Sequence, residues 1–141
     1  MIMGVNMYTS INQYRTTQVS TSSPEKILLM LYDGAINFSR IALDKMEKKD
    51  IPGKGTFIGK AQAIVGELMN TLNHEIGGAI TQNLEQLYIY LINEYVEANI
   101  HNSPKALENT IKILTMLRGT WSEAIEIVKK ERETGLARHA G

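Results

Sequence analysis

Apolar residues recur at three-four spacing along four stretches of the chain, the repeat of a helix that buries one face. Leu28, Leu31, Ala35, Phe38 and Ala42 carry it first, then Ile58, Ala61, Val65, Leu68 and Leu72. Ile80, Leu84, Leu87, Leu91, Tyr95 and Ala98 follow. The last row is Leu107, Ile111, Leu114, Trp121, Ile125 and Val128, interrupted by Arg118. The breaks between rows are chemical. Ser22-Ser23-Pro24-Glu25 offers a hydroxyl cap, a first-turn proline and a glutamate three residues after Ser22. Asn102-Ser103-Pro104 repeats the device, with Ser103 or Asn102 as cap. Pro52-Gly53-Lys54-Gly55 and Gly77-Gly78 supply the other two breaks, the glycine pair as a helix stop and tight turn.

This punctuation predicts helices over about residues 24–49, 56–75, 79–100 and 104–134. Long helices on short links pack against their sequence neighbours in antiparallel fashion. The expected fold is all-α, an antiparallel up-and-down four-helix bundle. Its core should include Leu31, Phe38, Leu68, Leu87, Leu91, Leu114 and Trp121. Residues 1–23 are polar and rich in Ser and Thr, with Tyr8, Ile11 and Tyr14 three apart. They read as a short capping helix and a flexible link, and a helix that short must borrow stability from packing. The bundle is expected over 24–134, with 135–141 as a disordered tail.

The helices carry more apolar surface than one core stripe needs. Ile89, Ile92, Val96 and Ile100 form a second row on the third helix, with Tyr88 between the rows. Ile113, Met116, Leu117 and Ile127 do so on the fourth; Ile27, Met30 and Ile41 fall off the main stripe of the first. A wide core, a homodimer face and an external groove for a partner all fit this pattern. For a groove, the candidate residues are Ile89, Ile92, Val96, Ile113 and Met116.

At 141 residues and 15.8 kDa the chain is sized for one domain. It has no cysteine, which excludes disulfides, thiolate metal sites and cysteine nucleophiles. Fifteen basic residues balance fifteen acidic ones, so the basic surplus that nucleic-acid binding needs is missing. The longest apolar run, Ile27 to Tyr32, is too short to enter a bilayer as a span, and no secretory signal opens the chain. A cytoplasmic protein is expected. Lysine exceeds acid by 3 between Lys45 and Lys60, while Ala61 to Glu108 carries a net −5.

No catalytic or metal-binding constellation is present. None of the three histidines has the Glu-x-x-His spacing of a di-iron bundle, and no phosphate loop or nucleophile motif occurs. Neither a cofactor nor an enzymatic activity is expected. Glu97 and His101, four apart, make a surface pair at most. A phosphotransfer bundle needs an exposed histidine midway along a helix, and His74 is the one candidate, beside Glu75. A catalytically inert helical adaptor or a histidine phosphotransfer bundle therefore fits the residues taken on their own.

The string from Val19 to Ala35, Ser-Pro-Glu through Tyr-Asp-Gly, resembles the opening of the FliS family, the flagellin-specific export chaperones. The likeness continues through Lys60-Ala61-Gln62, Leu72-Asn73-His74-Glu75-Ile76-Gly77-Gly78, Asn83-Leu84 and Leu87-Tyr88-Ile89-Tyr90. It takes in Ala98-Asn99 and closes at Leu117-Arg118-Gly119-Thr120-Trp121, covering about residues 8 to 125. The resemblance implies a cytoplasmic bundle that holds the disordered C-terminal segment of flagellin and prevents its premature polymerisation. It also implies delivery to the cytoplasmic domain of the flagellar type III export gate, without ATP hydrolysis by the chaperone. A flagellin terminus forms amphipathic helices, which suits recognition in apolar grooves. On this reading residues 1–18 cover the groove until cargo arrives, and Ile11 and Tyr14 then contact the gate.

Overall fold

The structure is a computed structural model that describes residues 23–140, with His74, Ile76 and residues 136–140 described by backbone alone. Tyr8, Ile11 and Tyr14 lie outside the described residues. Four helices follow in order: α1 (Pro24–Glu47), α2 (Ile51–Asn70), α3 (His74–His101) and α4 (Pro104–Ala140).

Their ends show which signals acted. Ser23, not Ser22, caps α1: it is extended, its hydroxyl accepts from the Lys26 N–H at 3.2 Å, and Pro24 fills the first turn. The Pro52–Gly55 run is not a break but the first turn of α2. Asp50 accepts from Gly53 N at 3.0 Å, and Pro52 sits where its missing N–H costs nothing. Gly78 breaks α3 with φ 56 and ψ −128, a conformation that glycine adopts without strain. Ser103 caps α4, accepting from Ala106 N at 3.2 Å. The backbone of that helix runs on through Ala140, and a lone Gly135 within it costs only about 1 kcal/mol.

The helices neighbour one another in ring order, α1 with α2, α2 with α3, α3 with α4, and α4 with α1. Across the diagonal, Tyr32 of α1 bonds Tyr88 of α3, and Ser39 bonds Tyr95 at 2.7 Å. Both pairs span 56 residues, so α1 and α3 run parallel, as an up-and-down bundle requires. The core between them is apolar: Leu31, Ala35, Ile58, Val65, Leu68, Leu91, Leu107 and Leu114 are buried. A Cβ at Gly34 would stand 3.1 Å from the Ile64 side chain, so α1 and α2 pack closely there.

Three core expectations need correction. Leu87 is half-buried while its neighbour Tyr88 is fully buried. Apolar residues on α3 come in adjacent pairs, so two helical phases are compatible with the pattern. The structure takes the one that carries the Tyr88 hydroxyl to Tyr32. Phe38 and Trp121 are half-buried and pack against the core from its edge. Ile80 stands next to the Gly78 break and is 71% exposed.

Two polar ties lock the corners. Lys54 is buried, and its Nζ donates to Asn99 O at 3.0 Å and to the Asn102 side chain, closing the C-terminal end of α3. Arg118, the interruption in the α4 stripe, reaches Asp33 of α1 at 2.8 Å. Both partners are largely exposed, so this pair contributes no more than about 1 kcal/mol.

Candidate apolar binding surfaces

The five residues expected to form one groove fall on two sides of α3. Asn99 meets Lys54 and Gly55 of α2, and Ile92 and Val96 precede it by seven and three residues. Helical repeat puts them on the flank that faces α2, with Ile89 in the same row. Glu94 accepts from Asn109 of α4 at 3.1 Å, which marks the other flank. Ile113 and Met116 follow Asn109 by four and seven residues, so they face the seam between α3 and α4. The exposed Asn93 and Glu97 form the crest between the two sides.

Exposure within each row is uneven. Val96 and Ile89 are each 43% exposed and Met116 is 60% exposed, whereas Ile92 and Ile113 lean on the core. Ile100 continues the α2-facing row in solvent, and Tyr90 is exposed on the flank toward α4. Apolar side chains thus stand in water on both flanks of one helix.

A third surface was not foreseen. At one end of the bundle an open groove of about 870 Å³ is walled by Ile27, Leu28, Leu31, Leu72, Ile80 and Leu84. Tyr88 and Trp121 also line it. Most of these residues belong to the main stripes and were expected inside. Because α2 stops at Asn70, the first turns of α1 and the start of α3 face each other there without a helix between them. Round the corner lies a cleft of about 550 Å³ between α1 and α4, lined by Leu29, Ile125, Val128, Lys26, Lys129 and Arg132 among others.

The buried hydroxyls beneath these surfaces titrate late. Burial pushes Tyr32, Tyr88 and Tyr95 upward from the ordinary phenol value. For Tyr95 the Ser39 and Thr110 hydroxyls pull the other way, and for Tyr32 the Tyr88 and Trp121 bonds do. Glu25 in the first turn of α1 is lowered, chiefly by its backbone hydrogen bond. His101 and Glu97 form the expected surface pair at 3.0 Å. His74 is the first residue of α3, not a midpoint of any helix. Among the described residues no helix is long and apolar enough to cross a membrane.

The family model for the flagellar protein FliS matches residues 7–128. The chain belongs to the FliS family. A flagellar secretion chaperone FliS of Vibrio cholerae is 37% identical over 107 residues, which is 76% of this chain and 79% of that one. The Bacillus subtilis flagellar secretion chaperone FliS is 34% identical over 127 residues, covering 90% and 92%. A crystal structure of a bacterial flagellar chaperone superposes with a TM-score of 0.69 at 19% identity, over 84% of this chain and 97% of that one. At that identity the superposition speaks for the fold, a helical bundle shared by both. Membership in the FliS family gives the chain a chaperone's role in flagellar export, not an enzyme's.

Proposed function

We propose that the chain is a cytoplasmic chaperone for the C-terminal segment of flagellin. It holds that segment away from polymerisation and hands it to the cytoplasmic domain of the export gate. The observation that carries this reading is the apolar surface left in water on both flanks of α3, at Ile89, Val96, Ile100 and Met116. A partner that covers both flanks has to cross the Asn93 crest, which a flexible segment does and a rigid globular face does not. Ordering such a segment costs several kcal/mol, and wide apolar burial offsets that cost.

The N-terminal segment completes the cycle. Ser23 lines the cleft between α1 and α4, and Pro24 lines the end groove. Residues 1–18 cover apolar surface in the free chaperone and leave when flagellin arrives; Ile11 and Tyr14 are then free to contact the gate.

The test is a calorimetric titration of the full chain with a synthetic peptide of the flagellin C-terminal segment, followed by circular dichroism. A gain in helicity and a negative heat-capacity change are expected. Absence of binding at millimolar peptide overturns the reading.

A further inference from the structure

Among the described residues that line the end groove and the cleft between α1 and α4, Trp121 alone is common to both. It is the residue that the two spaces share. Tyr32 borders neither space and is fully buried, yet its hydroxyl accepts the Trp121 Nε1–H at 3.1 Å. The same hydroxyl meets that of Tyr88 across the bundle, so it cannot turn away without breaking a second bond.

An indole carries a single donor, and a half-buried one goes where that donor finds an acceptor. With a buried acceptor the ring stands still. Without one, the lowest-energy orientation turns Nε1 toward water, and the ring then leans into one groove or the other. A groove whose wall already stands in place loses less on binding than one that must be ordered.

We infer that Tyr32 is a positioning residue for cargo: its hydroxyl holds the Trp121 indole as the fixed wall of the end groove. This rests on the proposed chaperone function and extends the cargo surface from the flanks of α3 to the end groove. Tyr32 touches no cargo and acts through Trp121 alone.

The chain has one tryptophan, so its fluorescence reports this wall without interference. Tyr32→Phe removes the acceptor and keeps the ring. Tyr95→Phe removes a buried hydroxyl bond in the next layer, away from both grooves, and serves as the comparison. Both variants should melt earlier than the native chain. Only Tyr32→Phe should shift Trp121 emission to the red and lower its anisotropy before any peptide is added. It should also weaken binding of the flagellin C-terminal peptide about tenfold, equivalent to about 1.4 kcal/mol. Equal peptide affinity and equal emission in the two variants overturn the inference. If the native chain itself does not bind the peptide, the chaperone reading fails, while the emission comparison still decides what Tyr32 does to Trp121. A further measurement needs no variant. Slow hydrogen exchange of the Trp121 indole N–H in the native chain supports the bond, and exchange at the rate of a free indole overturns it.

Discussion

Ser39 Oγ lies 2.7 Å from the Tyr95 hydroxyl across the centre of the bundle, and also bonds Ala35 O. Either hydroxyl can supply the proton of the Ser39–Tyr95 bond. Tyr32 and Tyr88 meet one layer away. All three phenols hold their protons more tightly in the folded chain than in the unfolded one, chiefly through burial.

The sign of the pH dependence follows. An unfolded tyrosine releases its proton near pH 10, and the folded ones release theirs later. Stability from these groups is complete below about pH 10 and falls as pH rises toward the folded values. Melting temperature should be flat between about pH 7 and about pH 9 with respect to the tyrosines, then drop. Tyr88→Phe should make the alkaline drop shallower. A variant that falls as steeply as the native chain would show that other groups drive the transition.

Leu91 is 0% exposed and Leu87 is half-buried. Leu91→Ala should cost about 2–5 kcal/mol in urea unfolding, as a core truncation does. Leu87→Ala should cost distinctly less, because part of its surface is already in water. Equal losses would place Leu87 in the core and reverse the helical phase described for α3.

That pair of leucines marks where the sequence was legible and where it was not. The stripe of α2 from Ile58 through Leu68 is buried as its spacing implies, because a single apolar face allows one phase only. On α3 the doublets Leu87-Tyr88 and Tyr95-Val96 allow two, and the deciding factor is a hydroxyl partner far along the chain, Tyr32 or Ser39. Periodicity carries no information about such a partner. The end groove was hidden for a related reason. Leu28, Leu72 and Leu84 have core spacing, and only the point where α2 stops leaves them open. The Pro52–Gly55 run misled through composition, since Asp50 as a cap turns the same residues into a helix start. Surplus apolar surface on α3 and α4 was legible, but not its division between two flanks, because assigning a flank needs the Asn99–Lys54 and Glu94–Asn109 contacts.

Val96 and Met116 lie on opposite flanks and are both substantially exposed. Val96→Asp and Met116→Asp should each weaken the flagellin peptide at least tenfold, about 1.4 kcal/mol, with little change in the melt. Ile92→Asp and Ile113→Asp should lower the melting temperature as well, since both residues pack on the core. If only one of the two exposed variants affects binding, the cargo occupies a single flank and does not cross α3.

Deleting residues 1–15 separates the two roles proposed for the N-terminal segment. A segment that covers apolar surface competes with cargo, and apparent affinity falls by the fraction of time the surface is closed. Removing it should leave peptide affinity equal or higher, and the shortened chain should self-associate more readily through Ile89, Val96 and Met116 in sedimentation. Binding of the loaded chaperone to the cytoplasmic domain of the export gate should fall, because Ile11 and Tyr14 go with the deletion. Point variants Ile11→Ala and Tyr14→Ala in the full chain should reproduce the loss at the gate without changing cargo affinity by more than about twofold. Loss of cargo binding on deletion would instead make the segment part of the cargo site, and the covering role would fall with it.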